Sequence, residues 1–141
     1  MPDVPATVLI ADDSESIRSL LEMILSASGH EVVQVEDGRA ALVYLKDHTP
    51  DLMILDVTMP FIDGIDICGR VKKISRLKAT PVIILTAHTD EDSKKRALAA
   101  GADAFVNKPL SGKNLRATIE EMLEKRETLR MKQTHITIEE G

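Results

Sequence analysis

The segment Leu52-Met53-Ile54-Leu55 is apolar without interruption, and Asp56 ends it. A strand with one wet face alternates apolar and polar residues, whereas a strand covered on both faces does not. A run this short, followed by the turn-rich Phe61-Ile62-Asp63-Gly64, fits a strand in the interior of a parallel sheet. Two further runs share the pattern. Val8-Leu9-Ile10-Ala11 leads into Asp12-Asp13, and Val82-Ile83-Ile84-Leu85 leads into Thr86-Ala87. A chain that buries such runs on both faces needs helices above and below them.

The intervening segments supply those helices. Residues 14–28 place Ile17, Leu20, Leu21 and Ile24 on one face, with Asp12, Asp13 or Ser14 as cap and Gly29 as stop. Residues 37–47 predict a second helix, halted before Thr49-Pro50. Residues 64 to about 75 predict a third, with Ile67, Cys68, Val71 and Ile74 inward. Residues 90–100 form a weak amphipath whose only large apolar residue is Leu98, with Lys94-Lys95-Arg96 facing water and Gly101 closing it. Residues 111 to about 130 predict the last helix. Glu31-Val32-Val33-Gln34-Val35 is a partly polar edge strand, and Ala104-Phe105-Val106 is a short fifth strand. Five strands alternating with five helices imply right-handed βαβ units and an α/β, doubly wound parallel sheet. The polar second strand belongs at an edge and the three apolar runs near the centre, which favours the order 2-1-3-4-5.

In such a sheet, chemistry sits beyond the carboxyl ends of the strands. Those ends carry Asp12-Asp13, Asp56, Thr86 and Lys108. Neighbouring strand residues point to opposite faces, so Asp12 and Asp13 share one site only if both lie in the turn past the strand. Like-charged carboxylates ~5 Å apart repel by roughly 3 kcal/mol per pair at an effective dielectric near 20. A raised pKa or a bound cation relieves this, and an open cleft of hard oxygen ligands suits Mg²⁺. An acidic pair, a further Asp, a hydroxyl and a Lys suit phosphoryl transfer to a carboxylate. Asp56 would be the nucleophile, and Lys108 and Thr86 would hold the phosphoryl oxygens.

Composition narrows the alternatives. With 141 residues, 43% hydrophobic and 29% charged, the chain suits one ordinary globular domain. A net charge of −5 argues against direct binding of nucleic acid. The single Cys68 excludes an internal disulfide or a cysteine zinc cluster and is expected as a small core residue. The acidic, Pro-broken start and the lack of a long apolar run predict no signal peptide, no membrane span and a cytoplasmic location.

Taken together, Asp12-Asp13, Asp56 with Met59-Pro60 and Asp63-Gly64, Thr86-Ala87, Gly101-Ala102, and Phe105 through Lys108-Pro109 resemble the receiver domain of bacterial two-component response regulators. The resemblance covers about residues 7–125. It implies the flavodoxin-like (βα)₅ fold and phosphorylation of Asp56 by a sensor histidine kinase or a histidine phosphotransfer protein. It also implies Mg²⁺ on Asp12, Asp13, Asp56 and the backbone carbonyl of Thr58, with Asp13 as the direct ligand of the acidic pair. It places Thr86 and Phe105 in a switch, in which the Thr86 hydroxyl swings toward the phosphoryl group and the ring takes the vacated space. Lys108-Pro109 is often a cis peptide in this family, and Thr58 and His88 stand where relatives tune hydrolysis. The implied product is a signalling domain rather than an enzyme. Mg²⁺-dependent self-phosphorylation and autodephosphorylation at Asp56 are expected, with a moderate phosphoryl lifetime, and the domain would act on a downstream output protein or a linked output domain. Homodimerisation is compatible with the resemblance.

The implied output surface is the fourth helix, fifth strand and fifth helix; the fourth, with few large anchors, is the expected moving part. Residues 1–126 are assigned to the receiver domain and 127–141 to a helix extension and polar tail suited to linking an output domain. Leu115, Ile119, Met122 and Leu129 carry the last helix's stripe, with Arg126 in one slot and Glu121–Lys125 as an i,i+4 pair, while 132–141 is expected to have no fold of its own. A haloacid-dehalogenase-type phosphatase wants an Asp where Thr58 stands. A flavodoxin wants a Ser/Thr/Gly-rich phosphate loop where Ala11-Asp12-Asp13-Ser14-Glu15 stands. The remaining alternative is a phosphorylation-independent interaction module.

Overall fold

The computed structural model describes residues 5–86, 91–108 and 112–140, with side chains of the last helix described through residue 128. The elements in chain order are β1 (Thr7–Ala11), α1 (Glu15–Ala27), β2 (Glu31–Val35), α2 (Gly38–Asp47), β3 (Leu52–Asp56), α3 (Gly64–Val71), β4 (Val82–Thr86), α4 (Glu91–Ala100), β5 (Ala104–Asn107) and α5 (Gly112–Glu140). The strands pair in parallel in the order β2-β1-β3-β4-β5, as the polarity of β2 predicts.

Strand alternation divides the core into two layers. Val8, Ile10, Leu52, Ile54, Ile83 and Leu85 pack with Leu21 and Leu25 of α1 and Leu115, Ile119 and Met122 of α5. Leu9, Ala11, Met53, Leu55, Val82 and Ile84 face the other way, toward Ala41, Leu45, Ile67, Cys68, Val71 and Ala97. Each large aliphatic buried this way contributes about 1.5–3 kcal/mol relative to exposure. That is why β3 and β4 carry apolar residues on both faces. Cys68 is fully buried, its thiol directed at the Ala100 carbonyl 3.7 Å away, and burial pushes its pKa up to about 11.

Side-chain caps start the helices where the sequence suggests. Ser14, Asp37 and Asp63 accept from the backbone N–H three residues on, at 3.3, 2.8 and 2.8 Å. α4 is held lightly, burying Ala97 alone while Leu98 is 64% exposed. Arg96, expected to face water, also reaches Asp63 at 3.3 Å.

Three expectations need correction. α3 ends at Val71 rather than near 75, and Ile74 is exposed. Its N–H bonds Val71 O three residues back, as does Leu77 to Ile74, which shifts the phase so that Leu77 is the buried residue. α5 continues to Glu140, so the polar tail is helical rather than without structure. Lys125 pairs with Asp103 at 2.7 Å, a fixed partner beside β5, rather than with Glu121 on its own helix. Arg126 occupies its slot in the stripe by pairing with Asp51 at 3.3 Å. The expectations for His88 and Pro109 fall outside the described residues, as do the predicted helix starts at Asp90 and Ser111.

Candidate functional site

β1 ends at Ala11, so Asp12 and Asp13 fall in the turn beyond it, where both can serve one site. Asp12 is fully buried, and its N–H donates to Val35 O at 3.2 Å, extending the pairing with β2 past the strand's end. One carboxylate oxygen, Oδ1, accepts from Ser14 N at 2.9 Å. Asp13 is exposed. Asp56 is the last residue of β3, 4% exposed, between β1 and β4. One carboxylate oxygen from each of the three residues lies within 4.8 Å of the others.

Lys108 enters this cluster from the far side of β4. Its backbone N–H donates to Thr86 O at 2.7 Å, continuing the β4–β5 pairing by one residue. The ammonium lies 3.1 Å from Asp12 Oδ2 and 3.2 Å from Asp56 Oδ1. It hydrogen-bonds Asp56, whereas the contact to Asp12 is an ion pair without hydrogen-bond geometry. Among the described residues, Asp12 Oδ2 is the buried side-chain oxygen left without a hydrogen bond.

Electrostatics follow from this placement. Burial, then the neighbouring Asp12 charge, raises the Asp56 pKa against the opposing pull of Lys108 and of the Thr58 N–H, which donates to the carboxylate. Burial would lower the Lys108 pKa, but Asp12 and Asp56 together hold it above its ordinary value. One ammonium thus faces three carboxylates, and the cluster keeps an excess of negative charge. A buried oxygen with a free lone pair, in an all-oxygen set open on the Asp13 side, suits a hard divalent cation.

The loop after β3 is shaped around the same carboxylate. A Cβ at Gly64 would overlap the Asp56 carbonyl oxygen, so glycine alone lets α3 start this close to the nucleophile candidate. Ile62 N–H bonds Pro60 O at 2.9 Å around Phe61, whose φ is +73°. This is a γ-turn of the rare, strained kind. The Phe61 ring is 66% exposed, with the Arg39 guanidinium 4.0 Å from its centroid.

Thr86 is buried at the end of β4, one residue beyond Leu85, the register partner of Asp56. Phe105 is half-buried on β5, opposite Ile84 and against the layer that includes Cys68 and Ala97. Thr58 is exposed, and its N–H is the group seen at Asp56. One contributor escaped the sequence reading. Arg18 of α1 donates through Nη1 to Asp12 O at 2.8 Å and through Nε to Gln34 Oε1 at 3.3 Å. A single Arg near the start of an amphipathic helix carries no signal that would have marked it.

A profile of the response regulator receiver domain matches residues 8–120. The chain belongs to the response regulator receiver family. It is 46% identical over 112 residues to the probable transcriptional regulator ycf27 of Galdieria sulphuraria, covering 79% of this chain and 43% of that protein. It is 39% identical over 124 residues to the transcriptional regulatory protein AfsQ1 of Streptomyces coelicolor, covering 88% and 53%. This receiver chain therefore spans about half the length of these curated relatives. Among solved structures it resembles the chemotaxis response regulator CheY4 of Vibrio cholerae, at 34% identity and a TM-score of 0.80 over 84% of this chain and 99% of that one. Among the described residues, no helix is long and apolar enough to cross a membrane.

Proposed function

We propose that the domain is a phosphoacceptor switch of a two-component system, with Asp56 as acceptor and residues 1–126 as the receiver unit. The observation that carries this is the cluster at the strand ends. The nearly buried Asp56 carboxylate lies within 4.8 Å of two further carboxylates and 3.2 Å from Lys108 Nζ. The phosphodonor is a phosphohistidine of a sensor kinase or phosphotransfer protein. An Asp56 oxygen forms a bond to phosphorus as the nitrogen–phosphorus bond breaks, and the departing imidazole takes up a proton. Lys108 and the Thr58 N–H oppose the rise that burial and Asp12 impose on the Asp56 pKa, which favours the ionised form a nucleophile requires.

Asp12, Asp13, Asp56 and the Thr58 carbonyl would hold Mg²⁺. When bound, the ion neutralises charge on the transferring group. Lys108 and the Thr86 hydroxyl then hold phosphoryl oxygens at the ends of β5 and β4. The aspartyl phosphate adds nearly two negative charges. Thr86 turns toward it, and the Phe105 ring takes the space that Thr86 vacates. The rearranged α4–β5–α5 surface changes binding to an output protein, or to an output domain reached through residues 127–141. A few kcal/mol of differential stability suffices for such a switch. Water then hydrolyses the aspartyl phosphate, releasing inorganic phosphate and returning the Asp56 carboxylate.

Intact-protein mass after incubation with acetyl phosphate tests this reading. Wild type should gain one phosphoryl group only with Mg²⁺, and Asp56→Asn should gain none. A gain by Asp56→Asn equal to wild type would remove Asp56 as acceptor. No gain by wild type from acetyl phosphate or from phosphorylated kinases would favour the phosphorylation-independent module.

A further inference from the structure

The acidic turn is fastened by three hydrogen bonds whose partners all lie outside the reacting cluster. Asp12 N–H is held by Val35 O, and Asp12 Oδ1 by Ser14 N. The Asp12 carbonyl is held by Arg18 Nη1 at 2.8 Å. That carbonyl belongs to the peptide plane joining Asp12 to Asp13, so its direction fixes where the Asp13 side chain begins. Asp13 has no hydrogen bond or ion pair among the described residues, so its aim depends on this plane.

Arg18 is itself anchored. Its Nε donates to Gln34 Oε1 at 3.3 Å, and Gln34 is exposed on the edge strand β2. The planar guanidinium presents its donors in a fixed fork, so one group spans the strand and the turn together. A lysine offers a single ammonium on a flexible stem and cannot reproduce that span.

We propose that Arg18 is a positioning residue for the cation site. Bridging the Asp12 carbonyl and Gln34, it holds the Asp12–Asp13 peptide at the orientation in which the two carboxylates receive a divalent cation together. This rests on the phosphoacceptor reading above. Two effects of Arg18 on Mg²⁺ oppose each other, which makes the proposal decidable. Its positive charge beside the carboxylates disfavours a cation, while its hold on the peptide favours one. If the hold dominates, removing Arg18 weakens Mg²⁺ binding. If the charge dominates, removing it tightens binding.

The test is Mg²⁺ titration by calorimetry on wild type, Arg18→Met, Arg18→Lys and Gln34→Ala, with urea unfolding of each. Outer partners of metal ligands typically change affinity about 10-fold or more. Arg18→Met and Gln34→Ala should each weaken Mg²⁺ binding, the former by about 10-fold. Arg18→Lys should fall with Arg18→Met despite its retained charge. At saturating Mg²⁺, acetyl phosphate labelling of Asp56 should recover toward the wild-type rate in all three. Tighter Mg²⁺ binding by Arg18→Met, or an unchanged affinity in Gln34→Ala with its unfolding midpoint intact, would overturn the proposal. Gln34 is exposed, so its truncation reads the bridge even if Arg18→Met folds poorly. Wild type that binds no Mg²⁺ and takes no phosphoryl group would instead overturn the phosphoacceptor reading on which this stands.

Discussion

The two edges of the sheet use the same residue types to opposite ends. At the carboxyl edge, three acidic side chains cluster around one lysine that pairs with only two of them, Asp12 and Asp56, and burial lifts the Asp56 pKa. At the amino edge, Asp103 is matched by two lysines, Lys72 at 2.8 Å and Lys125 at 2.7 Å, and accepts the Val82 N–H at 2.9 Å. Burial alone would raise the Asp103 pKa, but the bonds from Lys125, Lys72 and Val82 hold it below its ordinary value. Asp51, on the same edge, takes Arg126 at 3.3 Å and the Thr7 N–H at 2.9 Å. The strained turn at Phe61 also lies on the carboxyl side. One edge is balanced and fastens the fold. The other keeps unspent charge and strain, as sites of chemistry commonly do.

Substitutions at the two edges should therefore differ in sign. The largest effect belongs to Asp103→Ala, which strips the partner from the half-buried Lys72 and the acceptor from Val82 N–H. It should cost about 3 kcal/mol by urea unfolding at pH 7. A cost below about 0.5 kcal/mol, the level of ordinary surface substitutions, would mean the amino edge is not a fastening. Asp56→Asn should act the other way and raise stability by about 1 kcal/mol at neutral pH, because function rather than stability keeps the charge there.

The pH profiles sharpen the contrast. Asp103 is held below its unfolded pKa, so its stabilisation is full above that value and is lost as pH falls through the folded one. Asp56 is held above its unfolded pKa, so the folded state retains its proton longer. Its penalty is full above the folded pKa and fades as pH falls through it. The gain from Asp56→Asn should thus shrink in acid, where the cost of Asp103→Ala shrinks as well. A pH-independent gain from Asp56→Asn would refute the electrostatic origin.

Phe61→Gly should give the smallest change, about 0.5 kcal/mol of added stability. Relief of a positive φ outweighs the lost ring contact with Arg39 and the greater entropy of glycine in the unfolded chain. Phe61→Ala keeps the strain, loses the contact and should destabilise. Equal melting temperatures for the two variants would show that the turn stores no strain.

The central strands and the gathering of residues at the strand ends were legible in sequence because each is a local signal. A run such as Leu52 to Leu55 is apolar only if both faces are covered, and strand order then brings Asp12, Asp56 and Lys108 to one edge. What sequence could not supply was pairing across long separations. Lys125 prefers Asp103 to the neighbouring Glu121 because Asp103 is already fixed beside β5. Ile74 points outward because a change of hydrogen-bond spacing after Val71 shifts the helical phase. Lys108 touches Asp12 as well as Asp56, and Arg18 reaches a backbone carbonyl, which no residue pattern encodes.

Cys68 gives the molecule a built-in clock. Its thiol lies beneath the end of α4, against Ala100, and at a pKa of about 11 it is almost wholly un-ionised near neutrality. An alkylating reagent can therefore consume it only when that cover lifts, and the rate of loss counts the openings. The chain has a single cysteine, so the signal needs no mutagenesis to isolate it. Comparing that rate before and after acetyl phosphate treatment would test whether α4 moves as proposed, without a partner, a dye or an engineered label.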